Sequence, residues 1–224
     1  MERRFDEELQ KLKERLLTMA SMAEQAIGRA TKALVDRNSA AAQDVIQDDA
    51  TINRLEVEIE DTCLSLLARF QPEAKDLRFI AMVFKIVNDL ERVGDQGVNI
   101  GEQTLDLLKE PLLKPLIDIP QMAALAQQML KSALDAFVNL DAEMARAVCR
   151  RDDDVDRLND QVHTELLAYM QKDPQTVSRA LDLILIARHL ERVADHATNI
   201  AEDVYYLVRG TTIKHRLADQ EFSA

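Results

Sequence analysis

The chain has 224 residues, 47% of them hydrophobic and 30% charged, and a net charge of −12. That length suits one large domain or two of about 110 residues, and the composition belongs to a folded chain, not a disordered one. The acidity argues against nucleic acid as a partner, because phosphate binding needs clustered Lys and Arg; it favours metal ions or a basic protein surface.

The acidity is no tail, since residues 1–112 carry 15 basic and 22 acidic side chains and residues 113–224 carry 13 and 18. Trp is absent, and Gly and Pro number 5 each. Ala, Leu, Glu and Gln dominate, the residues that lose least rotamer freedom in a helix. The expected fold class is all-α.

The first predicted helix places Phe5, Leu9, Leu12, Leu16, Met19, Ala23, Ala26, Ala30 and Ala33 on one stripe. Asn38-Ser39 offers a stop and a new N-cap. A second helix is predicted from Ser39 to Phe70, ended by Gln71-Pro72 because proline disfavours helix in the residue before it. A third runs from about Lys75 to Lys109, and its Gly94, Gly97 and Gly101 imply close approach of a neighbouring helix, with the alanines of helix one as the expected contacts. Pro111, Pro115 and Pro120 mark a linker at the midpoint. Beyond it, Met122 to Val138 reads as helix four, Asp141 to Gln171 as one continuous helix five, and a sixth runs to about Arg209.

The pattern after the linker repeats the pattern before it. Residues 83–110 align without a gap on 183–210, with ten of 28 positions identical, among them Glu91, Arg92, Asp95, Asn99 and Glu102. Helix two aligns with helix five at an offset of 103, Asp49-x-x-Ile52-Asn53-Arg54 matching Asp152-x-x-Val155-Asp156-Arg157. Long helices joined by short loops pack as antiparallel neighbours. The expectation is therefore two tandem, pseudo-symmetric three-helix bundles, residues 1–112 and 113–224.

At roughly 100° per residue, Glu91, Asp95, Asn99 and Glu102 share one stripe, repeated as Glu191, Asp195, Asn199 and Glu202. Helix two offers Asp49, Asn53, Glu56 and Glu60, and helix five Asp152, Asp156, Asn159 and His163. Such stripes on neighbouring antiparallel helices can face each other across a seam. Stacked carboxylates repel by roughly 0.2–0.5 kcal/mol per pair and need a counter-charge. Two readings stay open: salt bridges to Arg54, Arg92, Arg157 and Arg192, or a bound cation, for which these hard oxygens suit iron, manganese, magnesium or calcium and also admit zinc. Ordinary solvated charge explains a single Glu-x-x-x-Asp, but a solvated face should have drifted between the copies as Lys85/Leu185 and Gln96/His196 have.

Other chemistry finds little support. No Glu-x-x-His, nucleophile elbow or phosphate-cradling glycine loop occurs. His189 lies in Arg-His-Leu-Glu-Arg, a phospho-acceptor-like pattern with no ATP-binding segment after it, and His163 and His196 read as surface or accessory residues. Cys63 and Cys149 read as buried thiols. Neither a signal peptide nor an apolar run approaching the ~20 residues of a membrane span is visible, so the expectation is a cytoplasmic protein with no transmembrane segment.

Leu90-Glu91-Arg92-Val93-Gly94-Asp95 and Leu190-Glu191-Arg192-Val193-Ala194-Asp195, each preceded by an Asp-x-x-[Ile/Val]-[Asn/Asp] helix, resemble the tandem signature of the PhoU family. Gln71-Pro72-x-x-x-Asp76-Leu77-Arg78 is similar to that family too, and the likeness runs from Phe5 to about Arg209. The resemblance implies a non-enzymatic, cytoplasmic regulator that dampens phosphate uptake and phosphate-starvation signalling. Its implied partners are the phosphate ABC transporter and a sensor histidine kinase, and a homodimer is common in the family. It further implies iron or zinc clusters held by Asp49, Asn53, Glu91 and Asp95 in the first half, and by Asp152, Asp156, Glu191 and Asp195 in the second. Asn53, where the second half has Asp156, leads to the expectation of weaker binding at the first site. The alternative of another class is a carboxylate-bridged metalloenzyme or metal-storage bundle; a purely structural scaffold is the third.

Overall fold

The computed structural model describes residues 2–213, and among these it contains seven α-helices and no strand. They are α1 (Glu2–Val35), α2 (Ser39–Phe70), α3 (Ala74–Leu107), α4 (Asp118–Asn139), α5 (Ala142–Cys149), α6 (Asp152–Lys172) and α7 (Val177–Arg209). The punctuation read from the sequence acts where expected. Asn38 caps α2, its side chain accepting from the Ala41 N–H. Gln71 ends α2 in the left-handed region, its N–H donating to the Leu67 carbonyl.

The expected continuous fifth helix is instead broken into α5 and α6 at Arg150-Arg151. The Arg151 N–H bonds the Val148 carbonyl, a tightened last turn, and α6 then opens on Asp152, Asp153 and Asp154. Three consecutive aspartates are favourable beside the unpaired N–H groups of a first turn and unfavourable in a helix interior, which is why the chain restarts there. Asp141 caps α5, its Oδ1 accepting from the N–H groups of Glu143 and Met144.

α1 packs on α2 and α3, α4 packs on α5, α6 and α7, and the halves meet chiefly through α3 against α7. That seam is antiparallel and pseudo-two-fold. Asp89 Oδ1 receives a hydrogen bond from Asn199 Nδ2 at 3.3 Å and lies 2.8 Å from His196 Nδ1, while His189 Nδ1 lies 2.9 Å from Gln96 Oε1. The 100-residue offset converts the 89–196 pair into the 189–96 pair. Lys85 further along pairs with the buried Asp203. Positions that read as drift between the copies are thus partners of one another. A single core of buried residues, reaching from Leu12 to Ile213, runs through both repeats.

Close approach explains the glycines of α3, with one correction. A Cβ on Gly97 would lie 3.1 Å from the Ala26 Cβ of α1, as expected, but Gly94 and Gly101 face α2, against Asp49, Ile52 and Ile46. The second repeat exchanges methyl groups between the facing helices: Gly94 with Ile52 becomes Ala194 with Val155. Gly94→Ala gains about 1 kcal/mol of helix propensity, yet its Cβ would stand 3.1 Å from both Ile52 Cδ1 and Asp49 Oδ1. Ile52→Val removes the first obstacle. A denaturant-unfolding double-mutant cycle is expected to show Gly94→Ala and Ile52→Val coupled favourably by about 1 kcal/mol; strict additivity would contradict this complementarity.

Candidate metal centre

The two α2–α3 and α6–α7 grooves bring the acidic stripes together. In the first, Asp49 and Asn53 of α2 meet Glu91 and Asp95 of α3. Asn53 Nδ2 donates to Asp49 Oδ2 at 2.9 Å, and Arg92 lies 3.5 Å from Glu91 Oε2 and 3.4 Å from Asp95 Oδ2. In the second, Asp152 and Asp156 of α6 meet Glu191 and Asp195 of α7. Helix periodicity dictates this. On α3, the face turned to α1 holds Val93, Gly97 and Ile100, so Glu91 and Asp95 fall beside α2, toward solvent.

Two further residues belong to these groups. Glu56, one turn beyond Asn53, stands close enough to repel Glu91, and Asn159, its counterpart at the 103 offset, donates from Nδ2 to Glu191 Oε2 at 2.9 Å. Both were on the stripes read from sequence, but only the tertiary pairing includes them. The groups therefore include Asp49, Glu56, Glu91 and Asp95 with Asn53, and Asp152, Asp156, Glu191 and Asp195 with Asn159. The amide changes place, and in the second group Asp160 also stands close enough to repel Glu191 and Asp156.

The cost of gathering these acids is visible in their ionisation. Burial, then the charge of Asp195 and Asp156, pushes the Asp152 carboxyl up to about 6. Burial likewise raises Asp49, Glu56, Glu91, Asp156, Glu191 and Asp195, with neighbouring acids adding to the rise in all but Asp195. Asp49 Oδ1 and its counterpart Asp152 Oδ1 are buried acceptors with no hydrogen bond, and so is Asn159 Oδ1. The Thr198 hydroxyl lies near enough to Asp152 to lower its pKa somewhat, but forms no bond of standard geometry. Orphan acceptor oxygens among desolvated carboxylates ask for a cation.

A raised folded-state pKa gives stability that is present at low pH and lost as pH rises through that pKa. Metal-free Asp152→Asn protein is therefore expected to melt above the parent at pH 7.5. The difference should shrink as pH falls through about 6 and vanish near 4, where the parent carboxyl is itself protonated. A gap independent of pH in thermal melts would contradict the repulsion.

Of the arginines considered as internal counter-charges, Arg92 alone pairs with its acidic group by direct contact among the ion pairs described; Arg54 Nη2 donates to Thr51 and Arg157 pairs with Asp154. His163 is exposed, His196 faces Asp89, and burial holds His189 down at about 4, with Arg192 and Arg188 adding to it. Burial pushes the Cys63 and Cys149 thiols up to about 12, so neither is a thiolate at neutral pH. Among the described residues, no three His, Cys, Asp or Glu side chains already stand together as a metal-holding set. The donors fit a hard cation in kind, and Asp49 Oδ1 and Asp152 Oδ1 are without a hydrogen bond.

A sequence model of the PhoU domain matches residues 16–104 and 119–204. The chain is 43% identical over 209 residues to the phosphate-specific transport system accessory protein PhoU homolog of Aquifex aeolicus, covering 93% of this chain and 95% of that one. It is 32% identical over 216 residues to the Escherichia coli phosphate-specific transport system accessory protein PhoU, covering 96% and 90%. The crystal structure of PhoU from Pseudomonas aeruginosa superposes with a TM-score of 0.90 at 40% identity, over 92% of this chain and 100% of that chain. The phosphate transport system regulatory protein PhoU from Streptococcus pneumoniae gives 0.86 at 31% identity, over 93% and 98%.

Proposed function

The chain belongs to the PhoU family, and on that premise we propose that it is a cytoplasmic regulator of inorganic phosphate uptake and homeostasis. It negatively modulates the phosphate ABC transporter and a sensor histidine kinase through protein contacts. The relatives' designation as transport-system accessory proteins supports the transporter as partner, and no described helix is long and apolar enough to cross a membrane. In this reading the chain acts as a homodimer, binds no nucleic acid and is not an enzyme; its repeats divide at residues 112 and 113.

The observation that carries the metal part is the pair of orphan carboxylate oxygens, Asp49 Oδ1 and Asp152 Oδ1, at equivalent places in the two repeats. Asp49, Asn53, Glu56, Glu91 and Asp95 would hold one centre, and Asp152, Asp156, Asn159, Glu191 and Asp195 the other. Iron or zinc fits best with the family, while manganese, magnesium and calcium suit the same oxygens. A bound metal supplies positive charge that offsets the mutual repulsion of the acids. The chain's own residues then do the rest: α2 is tied to α3 and α6 to α7, which fixes the outer helical face that a partner meets.

Immobilised protein should retain the cytoplasmic parts of the transporter and kinase, and a cell producing Glu91→Gln/Asp95→Asn/Glu191→Gln/Asp195→Asn protein should express phosphate-starvation genes in rich phosphate. Retention of neither partner, with full repression by the variant, would overturn the proposal. Metal-dependent turnover of peroxide or a phosphoester would instead favour the metalloenzyme.

A further inference from the structure

Asp49 and Asp152 occupy equivalent, half-buried places in the two grooves. A carboxylate there keeps one orientation only when a donor holds it. In the first repeat that donor is Asn53 of the same helix, whose Nδ2 donates to Asp49 Oδ2 at 2.9 Å. In the second, the residue at the same offset is Asp156, which offers no hydrogen and sets a like charge beside Asp152. The donor has to come from another helix.

α7 carries one. Its stripe of Glu191, Asp195, Thr198 and Glu202 has Thr198 where α3 has Val98. Packing in the first repeat fixes the register: a Cβ on Gly94 would stand 3.1 Å from Asp49 Oδ1, and position 98 lies one turn further along that face. In the second repeat the Thr198 hydroxyl is within reach of Asp152. Thr198 Oγ1 and Asp152 Oδ1 are both buried, and neither has a hydrogen bond of standard geometry. A donor and an acceptor that each need a partner therefore lie together. Thr18, Thr62 and Thr104 turn their hydroxyls onto the carbonyl four residues back in their own helices, but Thr198 does not. Between the repeats, amide becomes carboxylate at 53/156 as valine becomes threonine at 98/198.

We propose, on the metal reading of these grooves, that Thr198 is a positioning residue of the second centre: its hydroxyl donates to Asp152, holds that carboxylate toward a bound cation and leaves Asp156 free to serve as a charged ligand. In the first centre Asn53 does the positioning, so position 53 gives orientation where position 156 gives charge.

Glu91→Gln/Asp95→Asn protein, with the second centre intact, is loaded with zinc or iron(II) and titrated with a chelator of known affinity. Adding Thr198→Val should release the metal at roughly 10–100-fold lower chelator concentration. Thr198→Ser, which keeps the hydroxyl, should release it as the parent does. Without metal, Thr198→Val should lower the melting temperature of the parent by more than that of Asp152→Ala protein, because valine keeps the shape and removes the donor. Unchanged release, failure of Thr198→Ser to behave as the parent, or equal melting shifts in the two backgrounds overturns the proposal. A parent that takes up neither metal defeats the metal reading separately, and the paired melts still decide whether Thr198 holds Asp152.

Discussion

Glu91→Gln/Asp95→Asn protein and Glu191→Gln/Asp195→Asn protein are each expected to lose the metal of the altered repeat and keep the share of the untouched one. Both pairs remove two carboxylates from their group, leaving Asp49 and Glu56 in one and Asp152, Asp156 and Asp160 in the other. Disturbing even the partners that orient metal ligands weakens binding on the order of 10–100-fold, and loss of two anionic ligands costs more. Elemental analysis of protein purified without chelator, followed by competition with a chelator of known affinity, would measure the two sites separately. Single Asp95→Ala and Asp195→Ala variants should rank the sites, with the greater loss at the first, where Asn53 stands in place of Asp156; equal loss would contradict that ranking. If the first site empties at markedly lower chelator concentration in the parent, the Asn53 deficit is real. Glu56→Gln is the sharpest variant, because it leaves the first group with three carboxylates and two amides while the second is unchanged.

Leu90→Ala and Leu190→Ala should each destabilise the whole molecule by about 3 kcal/mol, within the usual range for buried Leu→Ala changes. For a chain of this length that is a fall in melting temperature of roughly 6–12 °C. Both side chains are fully buried on the helices that join the repeats, in one core continuous from the first half to the second. The unfolding transition should therefore stay single in both variants. For the same reason a fragment of residues 1–112 should fail to fold as a soluble monomer, since it would expose the α7-facing side of α3, Gln96 included. Two separate transitions, or a stable isolated half with native helix content by circular dichroism, would mean that the repeats are independent folding units.

The sequence by itself determined the helices and the duplication. Apolar residues at three- and four-residue steps, Asn38 as a cap, Gln71-Pro72 as a stop and the offset copies around Glu91 and Glu191 are local or one-dimensional signals, readable without coordinates. The acidic stripes were equally legible, because a helix with a known apolar face has only one place to put positions 91 and 95. One local signal was missed: Asp152-Asp153-Asp154 favours a helix start over a helix interior, and it breaks the fifth helix.

Tertiary structure alone decided which stripes meet and what the variable positions do. Glu56 and Asn159 join their groups through inter-helix register, which no period along one helix specifies. Asp89 with His196, Gln96 with His189, and Lys85 with Asp203 read as unrelated substitutions until α3 and α7 lie antiparallel. Gly94 faces Ile52 and Asp49 rather than an alanine of α1 for the same reason. Helical periodicity fixes the angle at which a residue leaves its own helix, whereas the partner across a seam depends on the axial offset between two helices, and only packing of the shared core sets that offset.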